Sequence, residues 1–277
     1  MGPRRKALAN AGAQAIGKLS AGTLRPDESM DAVWQDVCDS LVALAKKTGT
    51  EEAQGPENGL TQLLFDELQP CCMRRNRPYF FQKEYMVDTC YGHSPRIDMV
   101  AQAVDDGQVT VNGMPCAGGM PFLALEAKRL PVPRSGCERE YLVGPPSNKN
   151  RSSAEEGRQQ RSESGGVARF KLGIHAPKLK TVGMIGYVQR YSFEYWQNVI
   201  NGWVDQLMAT PEEELRWEES DKLQMEATSP LVAKLRSNNL RATDNERISI
   251  RHVWVQLAGR AEPTGEPAGG RSRRVAV

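Results

Sequence analysis

A mixed α/β fold, with a central sheet flanked by helices, is what this chain predicts, on three observations. Strand-like runs recur at 79–89, which is rich in aromatic and β-branched residues, and at 96–104, 122–130, 182–192 and 248–257. Between them apolar residues fall at helical spacing: Val33, Val37, Leu41 and Leu44; then Leu60, Leu64 and Leu68; then Trp196, Ile200, Trp203 and Leu207. The order of elements also changes along the chain, from consecutive strands to strand, helix, strand, helix. That order implies a meander joined to a crossover, with the strand at Val182 parallel to the one at Phe122.

The elements follow in order. Met1 to about Pro26 is small, basic and weakly periodic, so residues 1–30 read as a mobile leader with room for a brief helix over Ala7 to Leu19. One domain is expected over 31–260, and 261–277 reads as a flexible Gly/Pro/Arg-rich tail. Asp31 to Lys47 is a peripheral helix. Gly55-Pro56-Glu57-Asn58 starts the next, and Pro70 is expected to stop it. Tyr79 to Thr89 and Arg96 to Val104 are the first two strands, with Asp105-Asp106-Gly107 supplying a turn. Residues 131–166, rich in Pro, Ser, Gly and charge, form a long insertion with a polar helix open to Ser153–Ser162; it reads as a solvated excursion or as a lid.

Val167 to Ala176 resumes helical character. Val182 to Ser192 is a buried strand whose Gly183 and Gly186 permit close backbone approach. The aromatic stripe of Phe193 to Met208 reads as core packing ahead of base stacking. Glu212 to Arg241 is polar and expected to be helical or irregular, and Ile248 to Leu257 is the last strand.

Composition narrows the function. At 277 residues the chain can bury a substantial core. Charged residues make up 25% but the net charge is only +2, so nucleic-acid binding would rest on a local patch. No signal-peptide core is present, and no run approaches the roughly 18 apolar residues of a membrane span. The six cysteines lack any CxxC spacing and read as reduced thiols of a cytoplasmic protein. His93, His175 and His252 form no pair at ligand spacing and read as structural. No GxxxxGK[ST] occurs, so energy coupling would come from another chain, such as an ATPase or helicase subunit.

Chemistry concentrates in FLALEAKRL, Phe122 to Leu130. Glu126 and Lys128 are two residues apart, so on a strand both leave the face of Ala124, opposite Leu123, Leu125 and Ala127. Asp98 interrupts the apolar run RIDMVAQAV in the same way. Two hard oxygen ligands and an amine at one sheet edge are the equipment of a metal-dependent phosphodiesterase. The competing reading is a cross-strand salt bridge between Asp98 and Lys128. Glu57 likewise has two readings, a first-turn acid complementing the helix dipole or a third carboxylate aimed at the site.

A helix with Glu57, a strand with Asp98, a strand with Glu126-Ala127-Lys128, then a helix and a further strand together resemble the PD-(D/E)xK nuclease superfamily, over about Glu57 to Trp203. The resemblance implies a restriction-endonuclease-like mixed sheet. It implies Mg2+, with Mn2+ as a substitute, held by Asp98, Glu126 and the carbonyl of Ala127, and water positioned or deprotonated by Lys128. Glu57 matches the helical acid of many members. Ile97 stands where the motif has Pro, and the connector of 131–166 is unusually long. GVARFKLG and GMIGYV are similar to segments of nuclease subunits of bacterial anti-phage defence systems. DNA is the expected substrate, Arg96, Arg129, Arg169 and Lys171 are the phosphate-contact candidates, and a homodimer suits a duplex cutter. The alternatives are a non-cleaving subunit with a nuclease fold and a repair or transposition nuclease.

Overall fold

The structure, a computed structural model, describes residues 28–86, 96–132, 139–144, 165–209 and 215–257. The Ala7–Leu19 helix, His93, the tail, and the polar helix at Ser153–Ser162 lie outside the described residues, as does the leader up to residue 27; residues 28–30, assigned to that leader, instead open the first helix. The elements are α1 (Glu28–Lys47), α2 (Thr50–Ala53), α3 (Glu57–Arg74), β1 (Tyr79–Met86), β2 (Arg96–Ala103), β3 (Thr110–Val111), β4 (Met114–Pro115) and β5 (Pro121–Leu130), followed by α4 (Gly166–Lys171), β6 (Thr181–Val188), α5 (Phe193–Ala209), β7 (Gln224–Thr228), β8 (Val232–Leu240) and β9 (Arg247–Gln256).

Seven strands form one mixed sheet in the order β1-β2-β5-β6-β9-β8-β7. Its centre, β5-β6-β9, is parallel, and both flanks are antiparallel. Alternation along the strands divides the core into two layers. Leu123, Leu125 and Ala127 of β5 pack with Val33, Val37 and Leu41 of α1 and Leu60, Leu64 and Leu68 of α3. Ala124 faces the other way, into the layer of Val167 and Phe170 from α4 and Trp196, Ile200 and Val204 from α5. The meander, the parallel crossover and the helical stripes thus match the expectation. Among the described residues no helix is long and apolar enough to cross a membrane.

Three expectations need correction. Pro70 does not stop α3, which continues to Arg74. Pro70 and Asp66, whose carbonyl loses its donor, are exposed, so water can serve that carbonyl while Cys71 and Cys72 extend the buried stripe. The polar stretch before Arg241 is not helical: it supplies the edge hairpin β7-β8. Its alternation was hidden because buried positions of β8 include Ser237 and Asn239. The insertion is not wholly solvated, because Tyr141 and Leu142 are fully buried. Tyr141 accepts a hydrogen bond from the Trp254 indole at 2.8 Å, and its hydroxyl lies 2.8 Å from Nδ1 of His252. The small β3-β4 hairpin was unforeseen, although its turn residues Asn112 and Gly113, both at positive φ, form an Asn-Gly pair.

The two glycines of β6 are close approaches, as expected. A Cβ on Gly183 would meet the Trp34 ring at 2.4 Å and Leu125 at 2.5 Å, and one on Gly186 would meet the Trp254 ring at 2.2 Å. Gly186→Ala is expected to cost about 1–3 kcal/mol through overpacking. Trp254 cannot yield without disturbing its bond to Tyr141. Urea denaturation monitored by tryptophan fluorescence checks this, with an unchanged midpoint as the contrary result.

Candidate active site

β2 and β5 pair in the register Met99↔Leu125 and Val100↔Ala124, and one more step brings Asp98 level with Glu126. At that point the ladder gives way to a side chain: the Ala127 N–H donates to Oδ2 of Asp98 at 2.7 Å. β5 continues beyond its partner, and Glu126 and Lys128 follow the same face as Ala124. Both are buried, Glu126 completely. Glu57, in the first turn of α3, turns its carboxylate to the site: Oε1 accepts from Lys128 Nζ at 2.9 Å and Oε2 from the Arg129 N–H at 3.2 Å. The structure thus brings together all four residues singled out by sequence. The Asp98–Lys128 salt bridge is not among the ion pairs of the described residues; Lys128 pairs with Glu57 and stands 3.5 Å from Oε1 of Glu126.

Two further residues join that sequence reasoning missed. Glu140, in the described stretch 139–144 of the insertion, lies 4.0 Å from Lys128 Nζ. His175, read as structural, sets Nδ1 3.2 Å from Oε2 of Glu126, an ion-pair distance without a hydrogen bond. No local pattern marks Glu140. It is placed by Tyr141 in the core and by α4, whose Gly166, Val167 and Ala168 N–H groups donate to the carbonyls of Glu140, Tyr141 and Leu142. Gly165 makes this docking possible, since a Cβ there would fall 2.5 Å from the Glu140 carbonyl oxygen.

The basic candidates separate. Arg169 reaches the site, its Nη1 donating to Oε1 of Glu126 at 2.7 Å. Arg129 donates to the Gly55 carbonyl at 3.0 Å and is half-buried at the rim. Arg96 is exposed at the start of β2, 3.5 Å from Glu84. Lys171 must be withdrawn as a phosphate contact. It is fully buried, paired with the equally buried Asp221 at 2.6 Å, and lies 4.5 Å from the centroid of the Trp217 ring. Two residues beyond Arg169, it lies about 200° further around the helix and so faces inward.

Electrostatics differ sharply between the acids. Burial alone would raise Glu126, but His175, Lys128 and Arg169 together outweigh it and bring its carboxyl down to about 2. Asp98 moves the other way, up to about 7, chiefly through burial and then through the Glu126 charge, against the opposing pull of Lys128 and the Ala127 N–H. Burial would lower Lys128, yet Glu126, Glu57 and Asp98 together hold its pKa above the ordinary value. The amine is therefore a fixed cation at neutral pH, suited to orienting water or stabilising negative charge and unsuited to accepting a proton.

Asp98, Glu126 and the Ala127 carbonyl offer hard oxygen donors, and the mutual charge repulsion that raises Asp98 is what a divalent cation would relieve. Among the described residues no three or more His, Cys, Asp or Glu side chains form a metal-holding group. Two carboxylates and one backbone carbonyl thus fall short of a cage of side-chain ligands. Comparisons with protein-family models, curated proteins and solved structures yield no match for this chain.

Proposed function

We propose that this chain is a divalent-metal-dependent phosphodiesterase of the PD-(D/E)xK kind, with a restriction-endonuclease-like fold, that hydrolyses DNA as an effector of prokaryotic anti-phage defence. The observation that carries the reading is the convergence of Glu57, Asp98, Glu126 and Lys128, from one helix and two neighbouring interior strands, on one site. Asp98 and Glu126, with the Ala127 carbonyl, would hold Mg2+ or Mn2+. When bound, the metal lowers the pKa of its water and neutralises charge on the attacked phosphate.

The chain's own residues supply the rest. Lys128, permanently charged and braced by Glu57, orients the attacking water and faces the developing charge. Glu57 fixes that amine and, through the Arg129 N–H, the end of β5. Arg129, beside Gly55, and the exposed Arg96, at the start of β2, are candidates for backbone contacts that position DNA without reading its sequence.

One observation favours a second reading, a nucleic-acid-binding or scaffold subunit that does not cut. Glu126 is already compensated by the protein cations Lys128 and Arg169, as an idle site would be. Incubation of supercoiled plasmid and linear DNA with Mg2+ or Mn2+ decides between them. The nuclease reading expects cleavage by the parent chain and none by a folded Glu126→Ala variant. Absence of cleavage with either metal, with and without the ATPase or helicase partner such a system would supply, favours the non-cleaving subunit. Equal cleavage by parent and variant assigns the activity elsewhere. Preference for intact duplex over nicked or branched DNA separates defence from repair.

A further inference from the structure

Attack on a phosphodiester by water needs a group that takes the proton of that water. Most of the side chains gathered at the site are already engaged. Nζ of Lys128 donates to Oε1 of Glu57 at 2.9 Å and stands 3.5 Å from Oε1 of Glu126, and an ammonium so paired has no lone pair to offer. Glu57 accepts with both oxygens, from Lys128 and from the Arg129 N–H. Asp98 and Glu126 are the candidate ligands. Oδ2 of Asp98 accepts from the Ala127 N–H, and the Glu126 side chain has no solvent contact through which to discharge a proton.

Glu140 differs from all of these. Among the described residues its carboxylate accepts no hydrogen bond, and its charged neighbour is Lys128, with Nζ 4.0 Å from Oε1. That gap is too long for a direct hydrogen bond and suits one shared water, which can stand about 2.9 Å from both groups. The side chain is 34% exposed, so a proton taken from such a water has a path to bulk solvent. Its backbone is nevertheless fixed. Tyr141 and Leu142 beside it are fully buried, and the Gly166 N–H donates to the Glu140 carbonyl at 3.0 Å.

From this geometry we propose that Glu140 is the general base of the site, accepting the proton of a water that Lys128 orients. The water oxygen forms a bond to phosphorus while one of its protons passes to the Glu140 carboxylate. The bridging P–O bond breaks with its electron pair on the departing sugar oxygen, which is protonated from solvent, and Glu140 then returns its proton to solvent. The inference rests on the reading of this site as a nuclease centre. Within it, the amine positions and the carboxylate accepts, two tasks held by two residues.

Single-turnover cleavage of plasmid DNA with Mn2+ by the full chain and by Glu140→Ala, each with and without formate, tests the assignment. Glu140→Ala is expected to cut about 10²–10⁴-fold more slowly than the parent, the usual weight of general-base catalysis. Formate, a carboxylate small enough for the space that truncation leaves, should speed Glu140→Ala as its concentration rises and leave the parent unchanged. Glu140→Gln fills the same space with an amide that does not take the proton, so it is expected to be as slow and to ignore formate. It serves as the second variant should the Ala form fold poorly. Calorimetric titration of Mn2+ in the presence of a phosphorothioate duplex, which keeps the backbone charge and resists cleavage, should give the parent affinity in both variants.

Cleavage by the variants at the parent rate, or a slow Glu140→Ala that formate leaves slow, overturns the base while the nuclease reading stands on the parent's activity. A weakened Mn2+ affinity in the variants also overturns it, by making Glu140 a ligand. If the parent does not cleave, with or without the ATPase or helicase partner, both readings fall together.

Discussion

Lys128→Met is expected to slow DNA cleavage by about 10²–10⁴-fold, the usual weight of a positioned group acting in the transition state, while Mn2+ binds as tightly as before or more so. The two effects diverge because the amine is a fixed cation beside two carboxylates. Removing it lessens repulsion toward a metal and at the same time removes the charge that faces the reacting phosphate. A stability loss of about 3 kcal/mol should accompany the change, the lower end for breaking a buried pair. It falls there because Arg169 still faces Glu126, and Glu57 remains 27% exposed to water. Single-turnover cleavage normalised to folded protein, with Mn2+ titration alongside, measures both. A rate that falls only as far as the folded fraction would reduce Lys128 to a structural cation.

Asp98→Asn is expected to abolish measurable cleavage and yet raise stability at pH 8. The sign follows from its carboxyl, which is pushed up to about 7 in the fold from an ordinary value of 3.8. Between those values the native state keeps a proton that the unfolded chain has released, so the ionisation of this group weakens the fold progressively from about pH 4 to 7. Above pH 7 the whole penalty is present. Asparagine removes the charge and can still accept from the Ala127 N–H. The gain should therefore be clear at pH 8 and vanish near pH 4. Glu126 has the opposite sign: with its carboxyl brought down to about 2 from an ordinary value of 4.5, it contributes stability above pH 4.5 that is lost as pH falls toward 2. Melting of the parent and Asp98→Asn across pH 4–8 tests the slope. A variant less stable than the parent at pH 8 would show that the charge of Asp98 is compensated in the fold.

A residue that destabilises the fold while serving a reaction is the pattern of a functional site. It also explains what could be read from sequence. Asp98, Glu126 and Lys128 were legible because charges interrupting apolar strands demand a partner, and period-two alternation assigned the latter two to one face. Glu57 was legible as a residue but not in its contacts, since a first-turn acid serves a helix dipole equally well and its 2.9 Å bond to Lys128 leaves no mark in the sequence. Glu140 and His175 were not legible. Each is delivered by tertiary docking, one by the burial of Tyr141 and the other by the chain that follows α4, and neither leaves a spacing to find. The β7-β8 hairpin failed for another reason: Ser237 and Asn239 fill inward positions, where Asn239 donates to Ser237 at 2.8 Å and Ser237 lies 3.0 Å from Nε2 of His252, and a polar interior masks the alternation. Lys171 misled because a lysine beside Arg169 looks solvated until Asp221, 50 residues away, is brought against it.

The most direct measurement is an anomalous diffraction map from crystals grown with Mn2+ and the phosphorothioate duplex. One peak within coordination reach of both Asp98 and Glu126, with Lys128 still on Glu57 and a DNA phosphate beside the ion, is the expected result. A site without such a peak, Glu126 remaining clasped by Arg169 and Lys128 while the duplex lies elsewhere on the molecule, would contradict the account.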